Sequence, residues 1–117
     1  MGHTLLIVDD HAAFRAAASS MLAGEGFDIV GEAADGPSAI DAVARLHPSV
    51  VILDIQLPGA DGITVAGQLA AMPNPPAVVL ISSYDASVFG RRLAGAPVRG
   101  FLPKSNLTGD TLTGLID

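Results

Sequence analysis

The sequence predicts one α/β domain, built on a parallel sheet of five strands with helices on both faces. Five short aliphatic runs alternate with segments in which apolar residues recur at helical spacing. Three of the runs (residues 4–8, 50–53 and 77–81) are almost entirely apolar and do not alternate, which is typical of strands buried on both faces. A strand followed by a helix, repeated along the chain, indicates right-handed parallel crossovers. The 117 residues fit a single domain covering residues 1–117.

The strands are predicted from the aliphatic runs and the helices from the segments between them. The five predicted strands are Thr4–Val8, Asp28–Ala34, Val50–Leu53, Ala77–Ile81 and Gly100–Leu102. An apolar stripe from Phe14 to Leu22 predicts the first helix, and the second follows Asp35-Gly36-Pro37, a cap with proline in the first turn.

Three further helices complete the pattern. The third contains Ala66, Leu69 and Ala70 and ends before Pro73. The fourth is predicted at residues 85–94, weakened by a glycine at position 90, and the fifth at residues 107–117, where the chain ends. Because the chain ends inside this last helix, we expect it to be part of a longer protein.

The composition excludes several classes of function. Half of the residues are hydrophobic and 15% are charged, so the chain should fold around a core. The absence of cysteine excludes disulfides and thiolate metal sites. A net charge of −6 argues against nucleic-acid binding by this domain. No apolar run approaches the ~20 residues of a membrane span, and no secretory signal is evident, so we expect a cytoplasmic protein.

Polar residues follow four of the five predicted strands. Asp9 and Asp10 follow the first, Asp54 the third, Ser82 the fourth and Lys104 the fifth. Ligands of open α/β sheets bind outside the carboxyl ends of the strands, and the doubly wound order 2-1-3-4-5 makes the first and third strands neighbours. These side chains should therefore meet in one crevice.

Three carboxylates in one crevice repel one another and need a compensating cation. Carboxylate oxygens completed by water or phosphate oxygens are the ligands that Mg²⁺ prefers. The pattern therefore predicts a Mg²⁺ site that can also hold a phosphoryl group. The three histidines are not expected to form a metal site, and Asp61 is expected to face solvent.

Four motifs in this order, "VDDH", "LDIQLPGADG", "LISSYD" and "GFLPKS", resemble the receiver domain of two-component response regulators, which has a flavodoxin-like fold. The resemblance implies that Asp54 accepts a phosphoryl group from a histidine kinase. It implies that Asp9, Asp10, Asp54 and the backbone carbonyl of Gln56 hold Mg²⁺, and that Ser82 and Lys104 contact the phosphoryl group. Such a domain is a signalling switch and not an enzyme.

The resemblance also suggests residues that transmit or tune the signal. Phe101 resembles the aromatic residue that turns inward when the hydroxyl residue, here Ser82, moves, although a plain core phenylalanine explains it equally well. Gln56, Ser83 and Tyr84 occupy positions that tune the lifetime of the phosphoryl group. Proline often follows the lysine in this family, whereas here Ser105 follows it, so a cis peptide at that point would cost about 3 kcal/mol.

The ending "FLPKS" looks most like receivers of LuxR/NarL-type transcription regulators. This implies a helix-turn-helix output domain in the parent protein, absent from this chain, and by analogy a homodimer through the first and fifth helices.

Two other readings remain open. One is a Mg²⁺-dependent phosphatase that forms an aspartyl phosphate, which would want an acid at position 56, where Gln stands. The other is an interaction domain of the same fold that is not phosphorylated.

Overall fold

The computed structural model describes residues 3–117 and contains five parallel strands in the order β2-β1-β3-β4-β5. The strands are β1 (Thr4–Val8), β2 (Asp28–Ala33), β3 (Val50–Asp54), β4 (Ala77–Ser82) and β5 (Gly100–Pro103). The helices are α1 (Ala12–Gly24), α2 (Gly36–Leu46), α3 (Gly62–Ala70), α4 (Gly90–Ala94) and α5 (Gly109–Ile116). The predicted doubly wound fold is confirmed.

The apolar character of the central strands follows from their position in the sheet. Every residue of β3 is buried, and β1 and β4 are buried except at their first residue. Each of these strands has a neighbour on both sides and helices on both faces, so no position along it reaches water. The edge strands β2 and β5 are only partly buried, which agrees with their more mixed sequences.

Two hydrophobic cores lie on opposite faces of the sheet. Successive strand residues point to opposite faces, so Leu6 and Val8 join one core while Leu5 and Ile7 join the other. The first core packs against α2 and α3, and residues near α4 cover its edge. The second packs against α1 and α5. This arrangement places the carboxyl ends of the strands at one edge, between the two layers of helices.

Side-chain caps define the start of three helices. Asp35 accepts a hydrogen bond from Ser38 N at 2.9 Å at the start of α2, as the sequence predicted for this cap. Thr108 and Thr111 form the equivalent box at α5. Asp61 caps α3 by accepting from Thr64 N at 2.9 Å.

The predicted fourth helix is the main departure from the sequence-based boundaries. A single 3₁₀ turn (Ala86–Val88) precedes α4, which keeps only five residues. Gly90, the first residue of α4, has φ +55°, a conformation that interrupts a right-handed helix and that glycine adopts at low cost. The fifth helix begins at Gly109, two residues later than predicted.

All peptide bonds between residues 3 and 117 are trans, including the one after Lys104. Within the same range, no helix is long and apolar enough to cross a membrane.

Candidate functional site

The ends of four strands meet at one edge of the sheet and carry the predicted polar residues. Asp9 follows β1, and its amide donates to Ala33 O of β2 at 3.0 Å, which extends the strand pairing by one residue. Asp54 is the last residue of β3, Ser82 the last of β4, and Lys104 follows β5 directly. These side chains lie on neighbouring strands, as the predicted strand order requires.

The centre of the site is an ammonium group between two buried carboxylates. Lys104 Nζ lies 2.5 Å from Asp9 Oδ2 and 3.1 Å from Asp54 Oδ2. Asp9 and Asp54 are 0% and 2% exposed, so water screens these interactions very little. One lysine therefore balances two carboxylates, and the buried group as a whole carries excess negative charge.

The two carboxylates respond to this environment in opposite ways. Burial raises the pKa of Asp54, and its hydrogen bond from Gln56 and the nearby Lys104 offset only part of that effect. Burial opposes ionisation of Asp9 as well, but Lys104 and the amide of His11 hold its pKa below the usual range. Burial would lower the pKa of Lys104, yet the nearby carboxylates of Asp9 and Asp54 raise it above the ordinary value. The ammonium is therefore charged whenever the domain is folded near neutral pH.

Asp10 and His11 extend the acidic cluster toward solvent. His11 Nδ1 lies 3.1 Å from both Asp9 Oδ1 and Asp10 Oδ1, and the amide of His11 donates to Asp9 Oδ1 at 2.8 Å. Of the three histidines, His11 lies at the crevice, directly after the acidic pair. One ligand atom from each of Asp9, Asp10, His11 and Asp54 lies within 4.8 Å of the others.

This donor set fits a small divalent cation. Three of its members offer carboxylate oxygens, the ligands that Mg²⁺ takes in proteins. In addition, the buried oxygen Asp9 Oδ2 receives no well-directed hydrogen bond from residues 3–117, although Lys104 contacts it. An acceptor with free coordination capacity beside further carboxylates is what a cation would complete.

Backbone turns fix the direction of the Asp54 and Ser82 side chains. Gln56 N donates to Asp54 Oδ1 at 3.0 Å, which leaves Oδ2 directed at the lysine. Tyr84 N donates in the same way to Ser82 Oγ at 3.0 Å. Each side chain bonds the amide two residues ahead, so both acceptors are held by the chain that follows their own strand.

The loop after Asp54 folds back tightly over the site. Gly62 N donates to Ile55 O at 2.7 Å, and a Cβ at position 62 would lie 2.2 Å from Asp54 O. No side chain can occupy that space, so Gly62, the second glycine of "LPGADG", is required by the close approach of two backbone segments.

The remaining predicted positions lie around the crevice. Gln56, Ser83 and Tyr84 are exposed at its rim, and Tyr84 is 51% exposed. Phe101 is partly buried, pairs in register with Leu80 and packs against Phe89, with ring centroids 6.2 Å apart. This position suits both readings of Phe101, because the ring belongs to the core and also borders the segment that follows β4.

Three contacts at the site were not predicted from the sequence. Lys104 Nζ lies 4.4 Å from the centre of the Phe14 ring. Arg15 donates through Nη1 to Asp9 O at 2.6 Å and through Nε to Glu32 at 2.9 Å. The position of Phe14 and Arg15 in the first turn of the helix after β1 was the available signal, because that turn begins at the rim.

The expectation that Asp61 faces solvent was also wrong in part. Besides capping α3, Asp61 pairs with Arg92 of α4, with Arg92 Nη2 2.5 Å from Asp61 Oδ2. Arg92 and the cap together hold the pKa of Asp61 below its usual range, although partial burial opposes this effect. The loop after the site is thereby linked to α4 by one ion pair.

The fold and the site define a class of protein. Residues 5–116 match the response regulator receiver domain family, and the chain belongs to it. The resemblance seen in the sequence is thus confirmed, and the chain is a receiver domain of the kind found in LuxR- and NarL-type response regulators.

Similar proteins include transcription regulators from several bacteria. The transcription regulator BvgA of Bordetella pertussis is 32% identical over 104 residues, which cover 89% of this chain and 50% of BvgA. The DNA-binding transcriptional activator EvgA of Escherichia coli is 31% identical over 99 residues, 85% of this chain and 48% of EvgA. The chain therefore spans about half the length of these curated relatives.

Solved structures agree with this assignment. The signal receiver domain of the response regulator NarL from Mycobacterium tuberculosis has a TM-score of 0.86 and 28% identity, covering 98% of this chain and 96% of that one. A LuxR-family response regulator from Staphylococcus aureus has a TM-score of 0.88 at 21% identity, covering 98% and 99%, which shows the shared fold.

Proposed function

We propose that this domain is a phosphorylation switch in which Asp54 accepts a phosphoryl group from a phosphohistidine of a sensor histidine kinase. The observation that carries this proposal is the buried Asp54 carboxylate, held by Gln56 N on one oxygen and facing Lys104 with the other. A nucleophilic carboxylate needs a fixed direction and a nearby positive charge, and this geometry supplies both.

The chemical step is a transfer between two acceptors. An oxygen of the Asp54 carboxylate attacks phosphorus, an O–P bond forms, and the P–N bond to the donor imidazole breaks. The electron pair of that bond stays on the imidazole nitrogen, which leaves neutral because the other ring nitrogen carries the proton. No general base is required, since the attacking carboxylate is already ionised.

The surrounding residues then stabilise the charge on the transferred group. Lys104 lies within reach of its oxygens, and Ser82 Oγ ends the neighbouring strand and can donate its proton to one of them. Phosphoryl transfer depends mainly on positioning and on neutralising charge, so these few groups suffice. We propose that Ser82 and Phe101 move together on phosphorylation and that Gln56, Ser83 and Tyr84 set the lifetime of the acyl phosphate.

Mg²⁺ is the cofactor that the site fits. Asp9, Asp10, Asp54 and the backbone carbonyl of Gln56 would hold it, leaving positions for water and phosphoryl oxygens. When bound, the cation supplies charge neutralisation for the incoming phosphoryl group. Asp9 and Asp10 would hold the cation, and Lys104 would add a second positive charge beside Asp54 Oδ2.

The output of the switch is proposed from the relatives. BvgA and EvgA are named as transcription regulators, and this chain corresponds to half of their length. We therefore propose that residues 1–117 form the receiver domain of a cytoplasmic transcription regulator whose output is a helix-turn-helix domain. A homodimer through α1 and α5 is proposed by analogy alone.

An aspartyl phosphatase is the second class that forms the same intermediate. That chemistry uses a second acid two residues after the nucleophile, and Gln56 occupies the position here. Gln56 cannot act as a general acid or base, because its amide does not titrate in the useful range. The chain is therefore proposed to act as a switch, with phosphoryl turnover limited to its own aspartyl phosphate.

The test is the mass of the intact protein after incubation with Mg²⁺ and a small acyl-phosphate donor. We expect one added phosphoryl group on the wild type and none on Asp54→Asn. An adduct on both proteins would place the phosphoacceptor elsewhere. If neither carries an adduct, binding of beryllium fluoride with Mg²⁺ distinguishes rapid hydrolysis, which retains binding, from an inactive site, which does not.

A further inference from the structure

The aromatic ring of Phe14 lies directly against the charged end of Lys104. Lys104 Nζ is 4.4 Å from the ring centre, inside the range in which a cation is attracted to the face of an aromatic ring. The lysine side chain is 15% exposed, so the contact is largely shielded from water. Phe14 belongs to α1, whereas Lys104 follows β5 at the far side of the site, so the contact joins two distant parts of the chain.

Lys104 has two competing carboxylate partners, so a further contact is useful to fix the position of its ammonium. Asp9 and Asp54 both attract the ammonium, and the four-carbon stem of lysine is flexible. A third carboxylate would compete for the ammonium, and an aliphatic side chain would offer it no attraction. A neutral ring attracts the ammonium through its quadrupole and leaves the N–H groups of Lys104 available to the two carboxylates.

The first turn of α1 is itself anchored to the site. The next residue, Arg15, donates to Asp9 O and pairs with Glu32 of β2. Phe14 also packs against the core formed with α1 and α5. The ring is therefore held in place by the strand that carries Asp9, and it does not depend on the lysine for its own position.

We propose that Phe14 is a positioning residue that holds the Lys104 ammonium over Asp54 when the group at Asp54 changes from a carboxylate to an acyl phosphate. This inference rests on the proposed function, since it concerns the lysine in that reaction. Phe14 touches no reacting atom and acts only through Lys104.

The kinetic test is a double-mutant cycle between Phe14 and Lys104. The rate of phosphorylation of the full chain by a small acyl phosphate at saturating Mg²⁺ is followed by intact mass after acid quench. Phe14→Leu keeps an apolar side chain but removes the ring, and we expect it to slow the reaction about three- to tenfold. Phe14→Tyr keeps the ring and should stay within about twofold of the wild type.

The same substitution in a Lys104→Ala background decides how Phe14 acts. If the ring works through the lysine, Phe14→Leu should change the rate of Lys104→Ala by less than about twofold. Equal slowing in both backgrounds would overturn the proposal, because it would show a general effect of packing. Replacement of Phe14 by ring-fluorinated phenylalanines adds a graded test, in which the rate should fall as fluorination weakens the ring quadrupole at nearly constant shape.

A second readout does not depend on phosphorylation. Lys104 is the one lysine of the sequence, so lysine-selective isotope labelling gives NMR signals from this side chain alone. A ring face at 4.4 Å should shift the ε-methylene signal upfield, and Phe14→Leu should abolish that shift. An unchanged signal would overturn the contact even if phosphorylation occurs. A wild type that shows the shift, yet neither accepts a phosphoryl group nor binds beryllium fluoride with Mg²⁺, would instead overturn the proposed function.

Discussion

Replacing Asp54 by Asn should make the metal-free domain more stable. The Asp54 carboxylate is buried and shares a single ammonium with Asp9. Asparagine has nearly the same shape, and its amide oxygen can keep the hydrogen bond from Gln56 N. The substitution therefore removes one buried charge at nearly constant shape. The resulting change in the free energy of unfolding measures the electrostatic balance of the site.

The magnitude follows from the distances in the site. Oxygens of Asp9 and Asp54 lie within 4.8 Å, where two like charges repel by about 3.5 kcal/mol at an effective dielectric constant near 20. Attraction to Lys104 at 3.1 Å is about 5 kcal/mol by the same formula, and loss of hydration of the buried carboxylate costs roughly 3 kcal/mol. Ionised Asp54 should therefore cost the folded state about 1–2 kcal/mol net.

The pH dependence has a defined sign. Burial raises the pKa of Asp54 above its ordinary value of 3.8, so the folded state prefers the protonated acid. The stability contributed by that preference is present below the unfolded pKa and is lost as the pH rises through the folded value. The difference in the free energy of unfolding between Asp54→Asn and the wild type should therefore be largest near pH 7. It should decrease as the pH falls towards 4.

Thermal unfolding followed by circular dichroism in EDTA at pH 7 tests this prediction. We expect the Tm of Asp54→Asn to lie about 4–8 °C above that of the wild type. Asp41→Asn on α2, an exposed acid paired with Arg45 at 3.8 Å, is the control and should stay within about 0.5 kcal/mol. Saturating Mg²⁺ should raise the Tm of the wild type more than that of Asp54→Asn. A lower Tm for Asp54→Asn in EDTA would refute the charge balance described here.

Other substitutions test the supports of the site. Gly62→Ala should lower the free energy of unfolding by about 3 kcal/mol, because its Cβ would lie 2.2 Å from backbone. Gly67→Ala in the same helix has open space and should raise that free energy by up to about 1 kcal/mol. Urea unfolding measures both. Arg15→Met removes two charged hydrogen bonds of a largely buried side chain and should cost about 1–2 kcal/mol in the same assay. Arg92→Ala breaks an exposed ion pair with Asp61 and should lower the free energy of unfolding by less than about 1 kcal/mol. A larger loss would contradict the expectation that this ion pair contributes little to stability.

The strands and the position of the site were predictable because they depend on short stretches of sequence. β1, β3 and β4 are almost entirely apolar runs. Asp9 follows β1 directly, whereas β3 and β4 end in Asp54 and Ser82. Parallel strands must end at one edge, so the order of the strands predicted that Asp9 and Asp54 are neighbours and that Lys104 lies at the same edge. Neither step required knowledge of any side-chain rotamer.

The contacts that the sequence did not predict depend on tertiary distances between long side chains. The ring of Phe14 reads as part of a helical stripe, and nothing local shows that Lys104, ninety residues later, ends above it. The ion pair between Asp61 and Arg92 has the same origin. The shortening of α4 has a different cause, since the left-handed conformation of Gly90 decides whether one helix or two short turns form.

The excess of negative charge at the site gives the pair Asp9-Asp10 a physical purpose. Three carboxylates and one lysine are near neutrality only when a divalent cation is present, so the site favours cation binding before any phosphoryl group arrives. A phosphoryl group on Asp54 carries about two negative charges in place of one. The stronger charge at position 54 would draw Lys104 away from Asp9, and Asp9 would then be free to hold a divalent cation together with Asp10. We therefore expect metal binding, phosphorylation and the position of Lys104 to be coupled, because a single ammonium is shared by two buried carboxylates.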